Sequence, residues 1–339
     1  MAASITWPTL GPASEADPPA PAMAAPLATP VVRSAFGRLP PTALLLFAIL
    51  AVQLGAALAT VLLPSIGPIG TTFAIALGSA LVLTLYVRPR IDRRLKRHWR
   101  LVLLFGLINA VMALPYFLAL GRIPLGILAT VTFLGPLGLA VATSRRLLHF
   151  GLIGIAALGV ALLTPEIGAG VGGDGAAALD PIGLLYAAVA AVGWAAFVPL
   201  SKRMGEVLAG LEGMVYAFWI EALVLLLPAL LEAGGAGGSG APGGNPGSIA
   251  AATPGDLLAV LGVALLSTAL PNALEYKALQ RMSARTYGIL VTLEPAAGAM
   301  VGVVCLGQPA GSRMVIAIGC VMLAALGITL SDRRDSSDS

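Results

Sequence analysis

Ten long apolar runs, separated by short polar connections, occupy most of the chain. They cover residues 42–63, 66–87, 101–120, 123–143, 147–164, 181–200, 213–231, 257–274, 286–306 and 314–330. An α-helix rises about 1.5 Å per residue, so runs of this length can cross the ~30 Å hydrocarbon core of a bilayer. The pattern predicts an all-α integral membrane protein with ten transmembrane helices.

The composition agrees with a membrane location. Of the 339 residues, 58% are hydrophobic and 11% are charged, whereas a soluble domain carries about 25% charged residues. The two cysteines, Cys305 and Cys320, fall inside apolar runs, and the two histidines, His98 and His149, lie beside arginines at run ends. This distribution supplies neither a His-ligated metal centre nor a Ser-His-Asp triad within the membrane. We therefore expect buried, unpaired cysteines, no cofactor and no enzymatic activity.

The basic residues predict the orientation. With the N-terminus in the cytoplasm, all of the 20 Lys and Arg residues except Arg122 and Arg313 fall on the cytoplasmic side, many of them in "RPRIDRRLKRHWR" at 88–100. The positive-inside rule then predicts a multi-pass protein of the inner, cytoplasmic membrane with both termini cytoplasmic. The net charge of +4 reflects this orientation, so we expect membrane lipid, and not nucleic acid, as a partner.

The same pattern divides the chain into two similar halves flanked by tails. The expected parts are a disordered Pro/Ala-rich cytoplasmic tail at 1–41, a first repeat at 42–164, an external loop at 165–180, a second repeat at 181–331 with an external Gly-rich insertion at 233–250, and a cytoplasmic tail at 332–339. The insertion is typical of a flexible, passive spacer.

Two stretches carry the signal of an internal repeat. They are "ALGRIPLGILATVTFLGPLGLA" at 119–140 and "ALQRMSARTYGILVTLEPAAGA" at 278–299, which align Arg122 with Arg281 and Pro136 with Pro295 at an offset of 159 residues. Five runs lie in each half, and an odd number places the halves in opposite orientations. Inverted repeats of this kind hold a binding site near the midplane and open it alternately to each side. The arrangement predicts a transporter.

These regions resemble a known family. The segments at 121–146 and 267–308, with "STALP", "RTYG" and "EP" in the second, are similar to the signature regions of EamA-domain transporters of the drug/metabolite transporter superfamily. The likeness is greatest to the threonine/homoserine exporter branch and runs over residues 41–331. It implies ten helices in two inverted five-helix repeats, and export of small amino acids or related metabolites, commonly driven by ion gradients.

Glu294 and Pro295 are the main candidates for a substrate site. Glu294 lies eight residues into its apolar run, where a carboxylate costs at least ~2.5 kcal/mol and normally faces the bundle interior or a watery cavity. It could contact a substrate ammonium or carry a proton; the alternative is a protonated Glu hydrogen-bonded to a neighbouring helix. Pro295 and Pro136 predict matched helix breaks beside the site, with ordinary membrane-helix kinks as the alternative.

Each of the other candidates has both a functional and a structural interpretation. Glu221, in the middle of its run, either lines the cavity or packs between helices. Aromatic residues within spans either line the cavity or pack in the core, and three arginines either anchor at headgroup level or gate the pathway. These residues are Tyr116, Trp194, Arg122, Arg281 and Arg285.

Polar groups common in the exporter branch are missing at four positions. This chain has Ala74 where the branch commonly has Arg, Ala113 where it often has Asn, Thr132 where it often has an acid, and Gln308 where it has Glu. Thr132 is kept as a candidate substrate contact. The first half has therefore lost polar recognition, which leaves amino-acid transport in doubt.

The leading hypothesis is a secondary transporter that exports a small metabolite, an amino acid or a related compound such as threonine or homoserine, by alternating access. A more hydrophobic compound or a lipid is the alternative substrate, and a non-transporting membrane scaffold or sensor is the alternative class. Expected partners are a small-molecule substrate and membrane lipid, with a coupling proton and a homodimer left open.

Overall fold

The structure is a computed structural model that describes residues 39–89, 93–142, 147–161, 180–208, 211–233, 249–279, 281–282 and 284–331. The predicted C-terminal tail, most of the predicted N-terminal tail and most of the two predicted external segments lie outside the described residues, while Pro41, the last residue assigned to the N-terminal tail, begins the first helix. The helices are α1 Pro41–Ala59, α2 Leu63–Val87, α3 Arg93–Arg97, α4 Trp99–Leu120, α5 Leu125–Ala142, α6 Leu147–Ala161, α7 Pro181–Val207, α8 Glu212–Ala233, α9 Pro254–Ala264, α10 Leu270–Leu279, α11 Ala284–Val291, α12 Glu294–Leu306 and α13 Ser312–Ser331. A 3₁₀ turn at Ile249–Ala251 and a π-helical segment at Leu265–Ala269 complete the described elements, among which there is no strand.

The all-α membrane class is confirmed. Among the described residues, seven segments are long and apolar enough to cross a bilayer: Pro41–Ala59, Leu63–Val87, Trp99–Leu120, Pro181–Val207, Glu212–Ala233, Pro254–Asn272 and Ile289–Leu306. Two further apolar segments, Leu125–Leu139 and Ser312–Gly327, are shorter. Each of the ten predicted runs contains helix, while the number that crosses the membrane stays a prediction.

Large apolar side chains cover the outside of the bundle. Leu85 is 77% exposed, and Val192, Leu258 and Val304 are exposed to a similar degree. A soluble protein rarely exposes so much contiguous apolar surface, because it would be in contact with water. In a bilayer these side chains contact lipid and not water, so their exposure carries no free-energy cost. Cys305 shares this outer surface, so the prediction that it is buried is wrong, and both cysteines are free.

Helix ends on one side of the bundle are closed by local hydrogen bonds. Asp180 caps α7 by accepting from the Ile182 N–H at 2.9 Å. Thr253 and Asp256 form a reciprocal capping box at the start of α9, and the Ser65 hydroxyl donates to Asp256 at 2.9 Å. These bonds satisfy backbone N–H groups that a helix N-terminus leaves without partners.

Small residues allow helices to approach closely. A Cβ built on Gly135 of α5 would overlap the backbone carbonyl of Ala191 in α7, and one on Gly126 would lie 2.7 Å from the Cα of Ala299 in α12. Backbones pack at this distance only where a side chain is missing, as is typical of membrane helices.

The helices of the two halves interleave. The closest-packed pairs are α4 with α7, α2 with α8, α6 with α13, α5 with α7, α4 with α8, α1 with α10, α5 with α12, α2 with α9 and α1 with α12. Helices α1 and α5 from the first half therefore both contact α12. The candidate site lies at that meeting point.

Candidate functional site

The second half contains a broken helix at the predicted position. Helix α11 ends at Val291, a turn follows at Thr292 and Leu293, and α12 begins at Glu294. The N–H groups of Thr292 and Leu293 donate to carbonyls only three residues earlier, at 3.3 and 3.0 Å. Because Pro295 has no N–H, the Val291 carbonyl has no α-helical donor four residues ahead. The predicted break is present, and it places Glu294 at the first position of α12, the positive end of its helix dipole.

The first half lacks the matching break. Helix α5 continues through Pro136 from Leu125 to Ala142, so the prediction of paired breaks is wrong. The physical reason lies in the packing, since α5 is packed closely against both α7 and α12. A single missing N–H is tolerated where neighbouring helices fix the path of the chain.

The Glu294 carboxylate faces ionisable groups from three other helices. Glu294 is half-buried and lies within electrostatic range of Tyr116 in α4, Glu275 in α10 and Tyr287 in α11. No residue in the described part of the chain donates a hydrogen bond to its carboxylate, in contrast to the alternative of a Glu bonded to a neighbouring helix.

A second polar group, Gln53 of α1, reaches the same place. The residue is 2% exposed, and its Oε1 accepts no hydrogen bond from the described residues. A Cβ built on Gly298 of α12 would lie 3.2 Å from this oxygen and 2.8 Å from the Cβ of Ala129 in α5. Gly298 follows Glu294 by one helical turn and so shares its face. The sequence feature that could have identified Gln53 is its amide side chain, which lies in the middle of the first apolar run.

Thr132 and Trp194 lie in the core beside this cluster. The Thr132 hydroxyl donates to the Leu128 carbonyl at 2.8 Å, within its own helix. Trp194 is partly buried and meets Phe133 edge to face, with ring centroids 6.3 Å apart. The Trp194 contact corresponds to the packing alternative, while the role of Thr132 as a substrate contact stays a prediction. Of the two aromatic candidates, Tyr116 is the one within electrostatic range of Glu294.

Glu221 belongs to a different part of the bundle interior. It is 2% exposed, and the Asn109 amide of α4 donates to its carboxylate at 2.5 Å. The bond joins α4 to α8, as expected for the packing alternative. Asn109 was missed from the sequence, although it lies one helical turn before Ala113, where the family's Asn is absent.

Gln308 has a structural contact that its sequence position did not reveal. Its side-chain Oε1 accepts a hydrogen bond from the Leu125 N–H at 2.9 Å. The segment after α12 is thereby joined to the first residue of α5. Where the exporter branch has Glu, this chain therefore has a Gln that caps the start of α5. The difference is more than the loss of a group for substrate recognition.

The three candidate arginines are at helix ends. Arg122 donates to Asp180 at 2.8 Å, and its guanidinium lies 5.9 Å from the centre of the Tyr186 ring. The hydrogen bond from Arg122 holds the pKa of Asp180 below its usual value. Arg281 is exposed in the turn after α10, and the side chain of Arg285 is outside the described residues.

Comparisons with known proteins agree with this architecture. The EamA-like transporter family model matches residues 181–330. The threonine/homoserine exporter RhtA of Escherichia coli (strain K12) is 33% identical over 300 residues, which covers 87% of this chain and 93% of the relative. RhtA of Salmonella typhimurium (strain SL1344) is 32% identical over 299 residues, with the same shares covered. One solved crystal structure matches with a TM-score of 0.53 and 21% sequence identity. The match covers 87% of this chain and 98% of the chain in that structure, and it shows a likeness of fold alone.

The apolar helices and these relatives define the class as a multi-pass membrane transporter and not an enzyme. The chain belongs to the EamA-like transporter family of the drug/metabolite superfamily, as a divergent relative of the threonine/homoserine exporters.

Proposed function

We propose that this chain is a secondary transporter of the cytoplasmic membrane that exports a small metabolite by alternating access. The observation that carries the proposal is the break before Glu294, which puts a carboxylate without a described hydrogen-bond donor at a half-helix N-terminus inside the bundle. Broken helices at the interface of two repeats are typical of binding sites in secondary transporters.

The helix contacts support two inverted repeats. If the five spans of each half are matched in order, α1 corresponds to α7, α2 to α8, α4 to α9 with α10, α5 to α11 with α12, and α6 to α13. Exchanging the halves then turns the α4–α7 contact into α10–α1, α5–α7 into α12–α1, and α4–α8 into α9–α2, all of which are among the closest-packed pairs. The remaining close pairs, α2–α8, α5–α12 and α6–α13, are unchanged when the halves are exchanged. A pseudo-two-fold axis between the halves accounts for this pattern.

The site's chemistry suits an amino acid or a related compound such as threonine or homoserine. Glu294 supplies a negative charge for an ammonium group, and Gln53 Oε1 supplies an acceptor for an ammonium or hydroxyl donor. Gln53 Oε1 lies beside Gly298, which is one helical turn from Glu294 along α12. The printed activity of the RhtA relatives, threonine and homoserine export, agrees with such a ligand.

Efflux from loaded proteoliposomes tests the proposal. Labelled threonine, homoserine and a panel of other metabolites would be compared for wild type, Glu294→Gln and Gln53→Leu. We expect each variant to lower efflux of the transported compound by about tenfold or more, because a charge-assisted or buried hydrogen bond is lost. Glu221→Gln is the matched control, since it also turns a buried carboxyl into an amide but lies in the Asn109 contact.

Two outcomes would contradict the proposal. Normal efflux by Glu294→Gln at every pH tested would exclude a central role for this carboxylate. A wild-type protein that moves no compound in the panel, and whose melting temperature no compound changes, would instead favour the scaffold or sensor alternative.

A further inference from the structure

A groove of about 440 Å³ opens at the basic end of the bundle, where α3 meets the end of α7. It is lined by Arg93, Arg94, Arg97, His98, Glu206 and Val207. The lining residues carry three guanidinium groups and one carboxylate, so positive charge is in excess. Guanidinium groups bind phosphate through paired N–H donors, and a His adds a further donor.

Helix α3 is seated on the bundle by one apolar residue. Leu95 packs against the cluster formed by Val102, Phe105 and Met204, which joins α4 to α7. Arg93, Arg94 and Arg97 are exposed around it. Their charged groups are therefore held at a fixed place at the end of the bundle and not on a loose connection.

An apolar strip runs along α4 from the residue that follows the groove-lining His98. It begins at Trp99, which is 54% exposed with the Arg100 guanidinium 5.5 Å from its ring centre. Exposed Leu103, Leu107 and Val111 follow at one-turn intervals on the same face. Tryptophan is enriched at the membrane–water boundary, and the residues below it face the hydrocarbon.

We propose that this groove is a binding site for the phosphate headgroup of an anionic phospholipid. The phosphate lies between Arg93 and Arg97 with His98 beside it, and an acyl chain lies along Trp99, Leu103 and Leu107. A free phosphate compound would use the groove but gain nothing from the strip. Because the strip starts at Trp99, directly after the groove-lining His98, a lipid is favoured as the occupant.

The test uses the full-length protein, purified in detergent and depleted of lipid. Phosphatidylglycerol, phosphatidylethanolamine with the same acyl chains, glycerol 3-phosphate and inorganic phosphate are each titrated. Bound lipid is counted by native mass spectrometry, and the melting temperature is followed in parallel. We expect phosphatidylglycerol to bind and to raise the melting temperature, and the other three to do so far more weakly.

Matched variants separate the groove from the general basic charge. Arg93→Gln combined with Arg97→Gln removes two groove charges, while Lys96→Gln combined with Lys202→Gln removes two exposed charges from the same end outside the groove lining. We expect the first pair to weaken phosphatidylglycerol binding by about tenfold or more and the second to change it less than about threefold. If the double variant does not fold, the single variants Arg93→Gln and Arg97→Gln are used instead. Each should weaken phosphatidylglycerol binding, by less than the double variant would.

Three results would overturn the proposal. Equal losses in both variant pairs would mean diffuse attraction, and unchanged binding in the groove variants would place the lipid elsewhere. Equal protection by glycerol 3-phosphate or inorganic phosphate would assign the groove to a soluble phosphate compound. None of these readouts depends on transport, so they stand apart from the proposed export.

Discussion

Gly135 and Glu294 occupy matching positions in the two halves, and packing accounts for their difference. The missing Cβ at Gly135 admits the backbone carbonyl of Ala191, which leaves no volume for any side chain there. Glu294 lies instead at the start of a helix, within electrostatic range of Tyr116, Glu275 and Tyr287. The site's acid therefore lies in one half because the other half uses the same position for contact between helices.

Gly135→Ala should destabilise the protein by about 1–3 kcal/mol, because the added methyl group meets backbone and not a flexible side chain. Thermal unfolding in detergent measures the effect. Gly319→Ala in α13 is the control, since nothing lies within 4 Å of its Cβ and Ala favours a helix by up to ~1 kcal/mol. Equal melting temperatures for the two variants would mean that α5 and α7 are not in close contact.

At the scale of the helix, Pro295 and Pro136 have different consequences although they align. The first coincides with the turn between α11 and α12, while the second lies within a continuous α5. A proline alone does not decide whether a membrane helix breaks. The packing on either side of it does.

Pro295→Ala restores an N–H that can donate to the Val291 carbonyl and so favours a continuous helix. We expect export to fall by about tenfold or more, the equivalent of ~1.4 kcal/mol, without loss of thermal stability. Pro136→Ala, in a helix that is already continuous, should change efflux far less. Efflux and melting temperature measured on the same preparations check both expectations, and equal efflux from the two variants would remove the functional role of the break.

The link between the α4–α5 connection and the start of α7 depends on charge. Arg122 lowers the pKa of Asp180, so the carboxylate stabilises the fold at pH values above its unfolded pKa, and the contribution disappears as the pH falls through the folded value. Asp180→Asn keeps the helix cap but removes the charge. We expect its melting temperature to lie below wild type at pH 7 and to converge with it as the pH falls below the usual range of an aspartate pKa, because Asp180 itself is then protonated. A constant difference across this range would mean that the ion pair contributes nothing.

For the whole molecule, the charge pattern predicts that the 88–100 end faces the cytoplasm. In a background with Cys305→Ala and Cys320→Ala, Lys96→Cys and Ala310→Cys place one exposed thiol at each end. A membrane-impermeant maleimide should label Ala310→Cys in intact cells and Lys96→Cys only after lysis, because the positive-inside rule retains basic segments in the cytoplasm. Labelling of Lys96→Cys from outside would reverse the orientation.

The fold class and the position of the break followed from local sequence features. Apolar length predicts helices, and a proline next to a carboxylate within an apolar run marks an unusual point in the chain. Partner choice did not follow, because it depends on which helix faces are brought together. Asn109 with Glu221 and Gln308 with Leu125 are 112 and 183 residues apart in sequence. Neither pair has a local signature.

The site was predicted only in part for the same reason. Glu294 could be singled out from the sequence because burying a carboxylate in an apolar run costs free energy. Gln53 could not, because its place beside α5 and α12 is visible only in the folded chain. Thr132 and Glu221 were plausible candidates because sequence alone does not distinguish a polar group that faces a cavity from one whose hydrogen bond is made within or between helices.

Gln308 also has a consequence for how this end of the bundle responds to its surroundings. Its amide is neutral at every pH, so the hydrogen bond to Leu125 does not titrate. The nearby Arg122–Asp180 pair is lost in strong acid, but the bond between the end of α12 and the start of α5 persists. In the proposed orientation this end meets the external medium, and the amide makes its closure tolerant of acid in a way that a carboxylate at position 308 would not.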